Sequence, residues 1–412
     1  MDAAPAVTAK QDTKILGLIG TGHFLSHFYF LTLPPLFPFL KEEFGISYAA
    51  LGLIMAVAYG TSGVAQIPVG FLVDRIGARL ILTTGLVMMA LGFGLIGLTS
   101  SYWVLMILVI IGGVGHSVFH PADYAILSSS IDQQRMGRAF SIHTFAGHLG
   151  SAVAPATIIF LAVLWSWRAA LVIAGVAGLL ATFVLATQWN NLHDDALARK
   201  KDAGKTEFEA EEARSGAKEG LALLLSKPML LFFLFFAMTS MTSSGMHSFS
   251  VAALVELHGT PLAVASAALT GYLFASALGI LLGGVIADRT SRHDYVAALA
   301  FIATGVLVIV VAAVPLNVVF LLAILIFAGL TQGVIRPARD MMVRAASPRG
   351  STGKVFGFVS AGIAAGGTLS PILFGFVMDL GRPEWVFYLI AVFMAVALVT
   401  VVVPKANADR HA

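Results

Sequence analysis

The chain has 412 residues, of which 58% are hydrophobic and only 11% charged, with 41 glycines and no cysteine. Soluble domains carry about 25% charged residues, so this surface cannot be covered with polar groups and lipid must be its solvent. The missing cysteine excludes disulfide frameworks, thiolate metal sites and cysteine nucleophiles.

Met1–Gln11 is polar and shows no apolar run ending in a cleavage site, so the first apolar segment is expected to stay as a span. Hydropathy then separates twelve predicted spans, at 14–40, 47–73, 79–99, 102–130, 137–164, 168–188, 226–256, 261–287, 294–314, 316–346, 353–379 and 384–403. Each is long enough for a helix to cross a hydrocarbon core of about 30 Å. Between spans 6 and 7, residues 190–225 hold 14 of the 47 charged residues. They read as a cytoplasmic connector, with helix-forming patches such as Glu207 to Ala213, between a bundle over 1–189 and another over 226–412.

Twenty of the 25 Lys and Arg residues fall on the termini and on the loops after even-numbered spans, which predicts cytoplasmic termini. The pI near 9.1 reflects this bias. Nucleic-acid binding would need clustered basic residues interleaved with aromatics on a folded domain, and none occurs.

The halves repeat. Gly70, Asp74 and Arg75 recur as Gly284, Asp288 and Arg289, an offset of 214; at 216, Pro121, Gly137, Phe140, Gly150 and Pro155 match Pro337, Gly353, Phe356, Gly366 and Pro371. The expected fold is an all-α membrane protein, twelve transmembrane helices in two pseudo-symmetric six-helix bundles. Parallel six-span repeats are one of the transporter architectures, with the cargo site near the midplane between them.

The stretch Gly70-Phe-Leu-Val-Asp74-Arg75-Ile-Gly77-Ala-Arg79 resembles the signature of the major facilitator superfamily, and with its second copy at Gly284–Arg292 the resemblance covers the whole chain. A narrower match, Gly115-His116-Ser117-Val118-Phe119-His120-Pro121, resembles the fosmidomycin-resistance-like exporters. That family is implied to expel small toxic compounds, including an anionic phosphonate antibiotic, in exchange for protons. Its members often carry an acidic residue directly after the proline; here Ala122 intervenes before Asp123. The resemblance also implies a gating role for Gly70, Asp74, Arg75 and Arg79 and for Asp288 and Arg289, the arginines pairing with Asp123 or Asp132 at the cytoplasmic end. The alternative is a topology anchor that only retains positive charge.

Seven of the 11 histidines lie within spans: His23 and His27, His116 and His120, His143 and His148, and His247. Ionisable groups in a bilayer mark ion or proton paths by default, and imidazole titrates in the physiological range. Spans 1, 4 and 7 line the cavity in the superfamily. His23/His27 and His116/His120 are spaced i, i+4 and should share helix faces. A proton relay or anion clamp, structural hydrogen bonding and a transition-metal site are the three readings of such pairs; against metal stand the missing cysteine, the scarce carboxylates and the absence of His-Glu-x-x-His. His143 and His148 are about 140° apart on a helix, so they are expected not to share one cavity face. Arg336 matches His120 at the 216 offset and offers a fork for carboxylate or phosphonate; the alternative pairs it with Asp340 to stabilise the cytoplasmic end of the second half, the role expected of Arg339. Asp123 and Asp340 are expected near the cytoplasmic ends, Glu256 and Asp379 near the outer ends, leaving a neutral-to-positive cavity.

The function expected is a proton-coupled secondary transporter, an antiporter exporting small anionic organic compounds or antibiotics by alternating access. It would be a monomer in a bacterial inner membrane, with no cofactor and no enzymatic activity. Alternatives are a proton-coupled importer of an organic anion, a transporter-like sensor, and an intramembrane enzyme with a histidine-held metal.

Overall fold

The computed structural model describes residues 9–131, 135–189, 192, 225–290, 292–346 and 352–408. These are helical nearly throughout. The elements are α1 (Ala9–Phe30), α2 (Phe37–Phe44), α3 (Tyr48–Ile76), α4 (Ala78–Gly94), α5 (Tyr102–His116), α6 (Phe119–Ser130), α7 (Met136–Leu164), α8 (Trp167–Thr187), α9 (Lys227–His258), α10 (Leu262–Arg289), α11 (His293–Ala313), α12 (Val318–Ala346), α13 (Thr352–Asp379) and α14 (Glu384–Ala408). Ten stretches, one of them made by α5 and α6 together, are long and apolar enough to cross a membrane. The polar Thr21, His23, Ser26 and His27 keep α1 out of that set, and α14 is apolar over the shorter Glu384–Thr400. With these two helices the twelve predicted passes are accounted for. Large apolar side chains such as Trp103, Phe183, Leu299 and Val319 are exposed, as on a surface solvated by lipid.

Prolines redraw two of the predicted spans. The first span is not one helix to residue 40: Pro34 and Pro35 lack the N–H groups a continuing helix needs, so α1 stops at Phe30 and a 3-10 turn at Pro34–Leu36 precedes α2. The fourth is broken at Ser117–Val118. Pro121 cannot donate to the Ser117 carbonyl, and α6 starts afresh with this proline in its first turn.

The chain divides into two compact units, one from Met1–Leu36 and Val57–Lys205, the other from Phe37–Ala56 and Thr206–Ala412. Within the first, α1 packs on α7, and α4 on α5, α6 and α8. Within the second, α9 packs on α13, and α11 on α12 and α14. These are the same span pairs one repeat later. The repeated glycines explain one of them: a methyl at Gly150 of α7 would overlap the Phe24 carbonyl of α1, and a methyl at Gly366 of α13 would overlap the Ala237 carbonyl of α9. Small residues let these helix backbones touch.

Phe37–Ala56 sits in the second unit rather than with the other residues of its repeat. The Asp379 carboxylate, ending α13, accepts from the first backbone N–H groups of α3, Tyr48 at 2.7 Å and Ala49 at 2.8 Å. The Tyr48 hydroxyl donates to Glu256 of α9 at 2.7 Å. A free helix N-terminus attracts a carboxylate, and Asp379 supplies it. The predicted connector 190–225 lies outside the described residues apart from Leu192 and Leu225.

Candidate functional site

Four helices of the first unit bring six imidazoles together. Helix α1 supplies His23 and His27 from successive turns, their ring centres 4.7 Å apart. His143 of α7 stacks on His23 at 3.8 Å, and His148 of the same helix lies 6.2 Å from His27. Although about 140° apart on their helix and expected not to share one cavity face, His143 and His148 both lie against imidazoles of α1. Both reach α1 because Gly147 lies between them and leaves a slot: a methyl there would stand 2.6 Å from His23 Cδ2 and 2.9 Å from His27 Cδ2.

The break after His116 separates the other i, i+4 pair. His116, ending α5, sits 6.1 Å from His27, 3.9 Å from the Phe30 ring and, through Nδ1, 2.8 Å from Ser62 Oγ of α3. His120, in the first turn of α6, is instead 5.6 Å from His23. The two still converge on α1, one turn apart.

Asp123 is the residue the sequence reading misplaced. One turn after His120, it is 0% exposed, and its Oδ2 lies 3.3 Å from His23 Nδ1 and 3.6 Å from His143 Nε2. It belongs to the imidazole cluster, not to the arginines of the Gly70–Arg79 segment. Its i+3 spacing from His120 was the signal available in the sequence. His143, Ser62, Ser151, whose Oγ is 3.3 Å from His27 Nδ1, and Gly147 complete the site beyond the residues singled out for it.

The expected gating segment is partly visible. Helix α3 ends at Ile76, Gly77 turns with φ 104°, and α4 begins at Ala78. Arg75 is exposed, whereas Arg79 donates to the Trp189 carbonyl at 3.3 Å. A methyl at Gly70 or Gly284 would meet nothing, so close packing does not demand either glycine. Arg289 is exposed at the end of α10; the side chains of Asp74, Asp288, Asp132 and Asp340 lie outside the described residues.

In the second unit, Arg336 of α12 is half-buried, within electrostatic range of His247 of α9 and Tyr272 of α10. The Arg339 guanidinium lies over the Phe236 ring at 4.2 Å. Buried side-chain oxygens of Thr242, Ser244, Ser248, Ser250, Ser266, Gln332 and Ser370 have no hydrogen-bond partner, which leaves this unit rich in unused polar groups. Hydropathy averages over such isolated hydroxyl and amide side chains, so nothing in the sequence pattern marks them.

Polar groups buried inside long apolar helices, arranged twice, describe a membrane transporter. The Major Facilitator Superfamily description matches residues 19–254 and 234–412. The chain belongs to this superfamily. It is 24% identical over 412 residues to the fosmidomycin resistance protein of Escherichia coli (strain K12), covering 99% of this chain and 96% of that one. It is 24% identical over 361 residues to the multidrug resistance protein MdtH of Shigella boydii serotype 4 (strain Sb227), covering 84% and 82%. Among solved structures, a bacterial homolog of the human lysosomal transporter Spinster, inward-facing and occupied, superposes with a TM-score of 0.78 at 14% identity, over 97% of this chain and 98% of that one. The nucleoside transporter NupG gives 0.74 at 15% identity, over 93% and 98%. At these identities the structural likenesses establish the major facilitator fold. The protein is a multi-pass membrane transporter of small molecules, not an enzyme.

Proposed function

We propose that this superfamily member exports small organic anions, of the phosphonate or carboxylate type, in exchange for protons and by alternating access. It works as a monomer in a bacterial cytoplasmic membrane with both termini inside. The observation that carries the reading is the charge balance of the buried site, six neighbouring imidazoles with one carboxylate among them, against two of the rings. Asp123 and Asp12 are the buried acids among the described residues, and Asp12 is held by Arg135 at 2.8 Å. Such surroundings are neutral to positive and favour anionic cargo. Arg336 adds a permanent charge in the other unit, with His247 within its electrostatic range.

Proton exchange is assigned to His116. The Ser62 hydroxyl at 2.8 Å can accept from the protonated ring or donate to the neutral one, so neither state is left unpaired. The relatives named for fosmidomycin and multidrug resistance support export as the direction. The excess of Lys and Arg on one set of loops supports the orientation. Gly70, Asp74, Arg75 and Arg79, with Asp288 and Arg289, are proposed as the cytoplasmic latch whose making and breaking accompanies the exchange.

The test is a pH-dye assay in everted vesicles with an imposed proton gradient, using fosmidomycin and a panel of organic anions and cations. Dye recovery is expected with anions, and its loss in His116→Ala and Arg336→Gln. Silence across the anions, or recovery with cations alone, would overturn the proposal.

A further inference from the structure

Three ligating atoms meet inside the first unit without a hydrogen bond among them. His23 Nδ1 and His143 Nε2 approach the same oxygen, Asp123 Oδ2, at 3.3 and 3.6 Å, and one ligating atom from each residue lies within 4.8 Å of the other two. His23 is 3% exposed, His143 2% and Asp123 0%. Yet His23 Nδ1, His143 Nε2 and both Asp123 oxygens have no hydrogen-bond partner, because these approaches lack the direction an N–H···O bond needs. A buried charged carboxylate left this way costs several kcal/mol, so the group calls for a proton or a cation.

Zinc binds imidazole nitrogen at about 2.0–2.1 Å, which puts neighbouring ligand atoms of a tetrahedron about 3.3 Å apart. The 3.3 Å approach of His23 matches that edge, and the 3.6 Å approach of His143 is close to it. We propose that His23, Asp123 and His143 form an intramembrane site for a divalent transition-metal cation of the zinc and cobalt type. Two neutral imidazoles and one carboxylate suit such an ion. Three protein ligands leave the fourth position to water or an anion, as in exchangeable rather than closed sites. Loading turns the stacked His23 and His143 rings until their nitrogens converge on the ion. The scarcity of carboxylates that counted against metal in the sequence is answered by Asp123, which α6 delivers to the cluster. The site does not depend on what the protein transports.

Full-length, tag-free protein in detergent, stripped with chelator, is titrated with Co2+ alone and then with Zn2+. One equivalent should bind, giving the intense visible absorption of four-coordinate cobalt, which Zn2+ abolishes by displacement. Loss of an outer hydrogen-bonding partner already costs metal sites about 10- to 100-fold in affinity. Asp123→Asn and His143→Gln should each exceed that, while His258→Gln, in the other unit, binds like the parent. Should a variant misfold, X-ray absorption of the zinc-loaded parent decides: two imidazole nitrogens with a carboxylate oxygen support the site, and an all-imidazole shell overturns it. No stoichiometric binding by the folded parent, or undiminished binding by Asp123→Asn, also overturns it. Protons alone would then serve the cluster. Because no transport is measured, failure here leaves the export reading intact.

Discussion

Gly147→Ala tests whether the imidazole cluster rests on close contact between α1 and α7. The added methyl would stand 2.6 Å from His23 Cδ2, 2.7 Å from His23 Nε2 and 2.9 Å from His27 Cδ2. Ordinary carbon contacts lie at about 3.5–4.0 Å, so two rings must move by about 1 Å or the helices must part. Overpacking of this kind costs about 1–3 kcal/mol, while alanine gains up to about 1 kcal/mol in helix propensity over glycine. Gly17→Ala on α1 isolates the overlap, because a methyl there meets nothing within 4 Å and carries only the propensity gain. At about 2 °C per kcal/mol for a long chain, Gly147→Ala should melt about 2–6 °C below Gly17→Ala in detergent, with dye recovery reduced in vesicles. Equal melting temperatures and equal flux would refute the claim that the rings pack on this face.

Gly150→Ala and Gly366→Ala should be worse than Gly147→Ala, since their methyls overlap backbone carbonyls that no rotamer change can move aside; size-exclusion profiles should show loss of monodisperse protein in both. Asp379→Ala removes the acceptor of two backbone N–H groups and should cost about 1–3 kcal/mol, with Asp379→Asn, which keeps one acceptor oxygen, losing less in the same thermal assay. Arg336→Lys keeps the charge but loses the planar fork. Calorimetric titration with fosmidomycin should therefore give weaker binding than the parent, and Arg336→Gln weaker still.

The passes and the repeat were legible because hydropathy is a local property that needs no knowledge of neighbours. Helix breaks were legible only in part: Pro34 and Pro35 end α1, and Pro121 restarts a helix, whereas Pro155 of α7 and Pro371 of α13 sit inside continuous helices. A proline's effect depends on whether packing holds the helix on both sides of it. The site followed the same division. His23, His27, His116 and His120 were found by their burial in apolar sequence, but their partners were not. The angle between His143 and His148 on one helix says nothing about a second helix lying over Gly147. Asp123 looked like a terminal residue in a continuous span, and it becomes central once α6 is a separate helix.

The duplication shows how the two units diverged. At the 216 offset, His116, His120 and Asp123 correspond to Gln332, Arg336 and Arg339, and His143 and His148 to Val359 and Ala364. Every titratable member of that set in the first unit is replaced by an amide, a permanent cation or an aliphatic side chain. The geometry changed with it: Arg339 lies over Phe236 where Asp123 meets two imidazoles. On the proposed function, a group that changes charge during a cycle and a group that carries a constant charge for an anion place different demands on one site. Separate units remove that conflict. The sharpest consequence is for exchanging the two characters: Arg336→His should make anion binding fall more steeply with rising pH than it does in the parent, because the charge at this position is then lost on deprotonation. Binding of fosmidomycin measured across pH in both proteins decides it, and a profile in Arg336→His that parallels the parent's would show that Arg336 does not hold the anion.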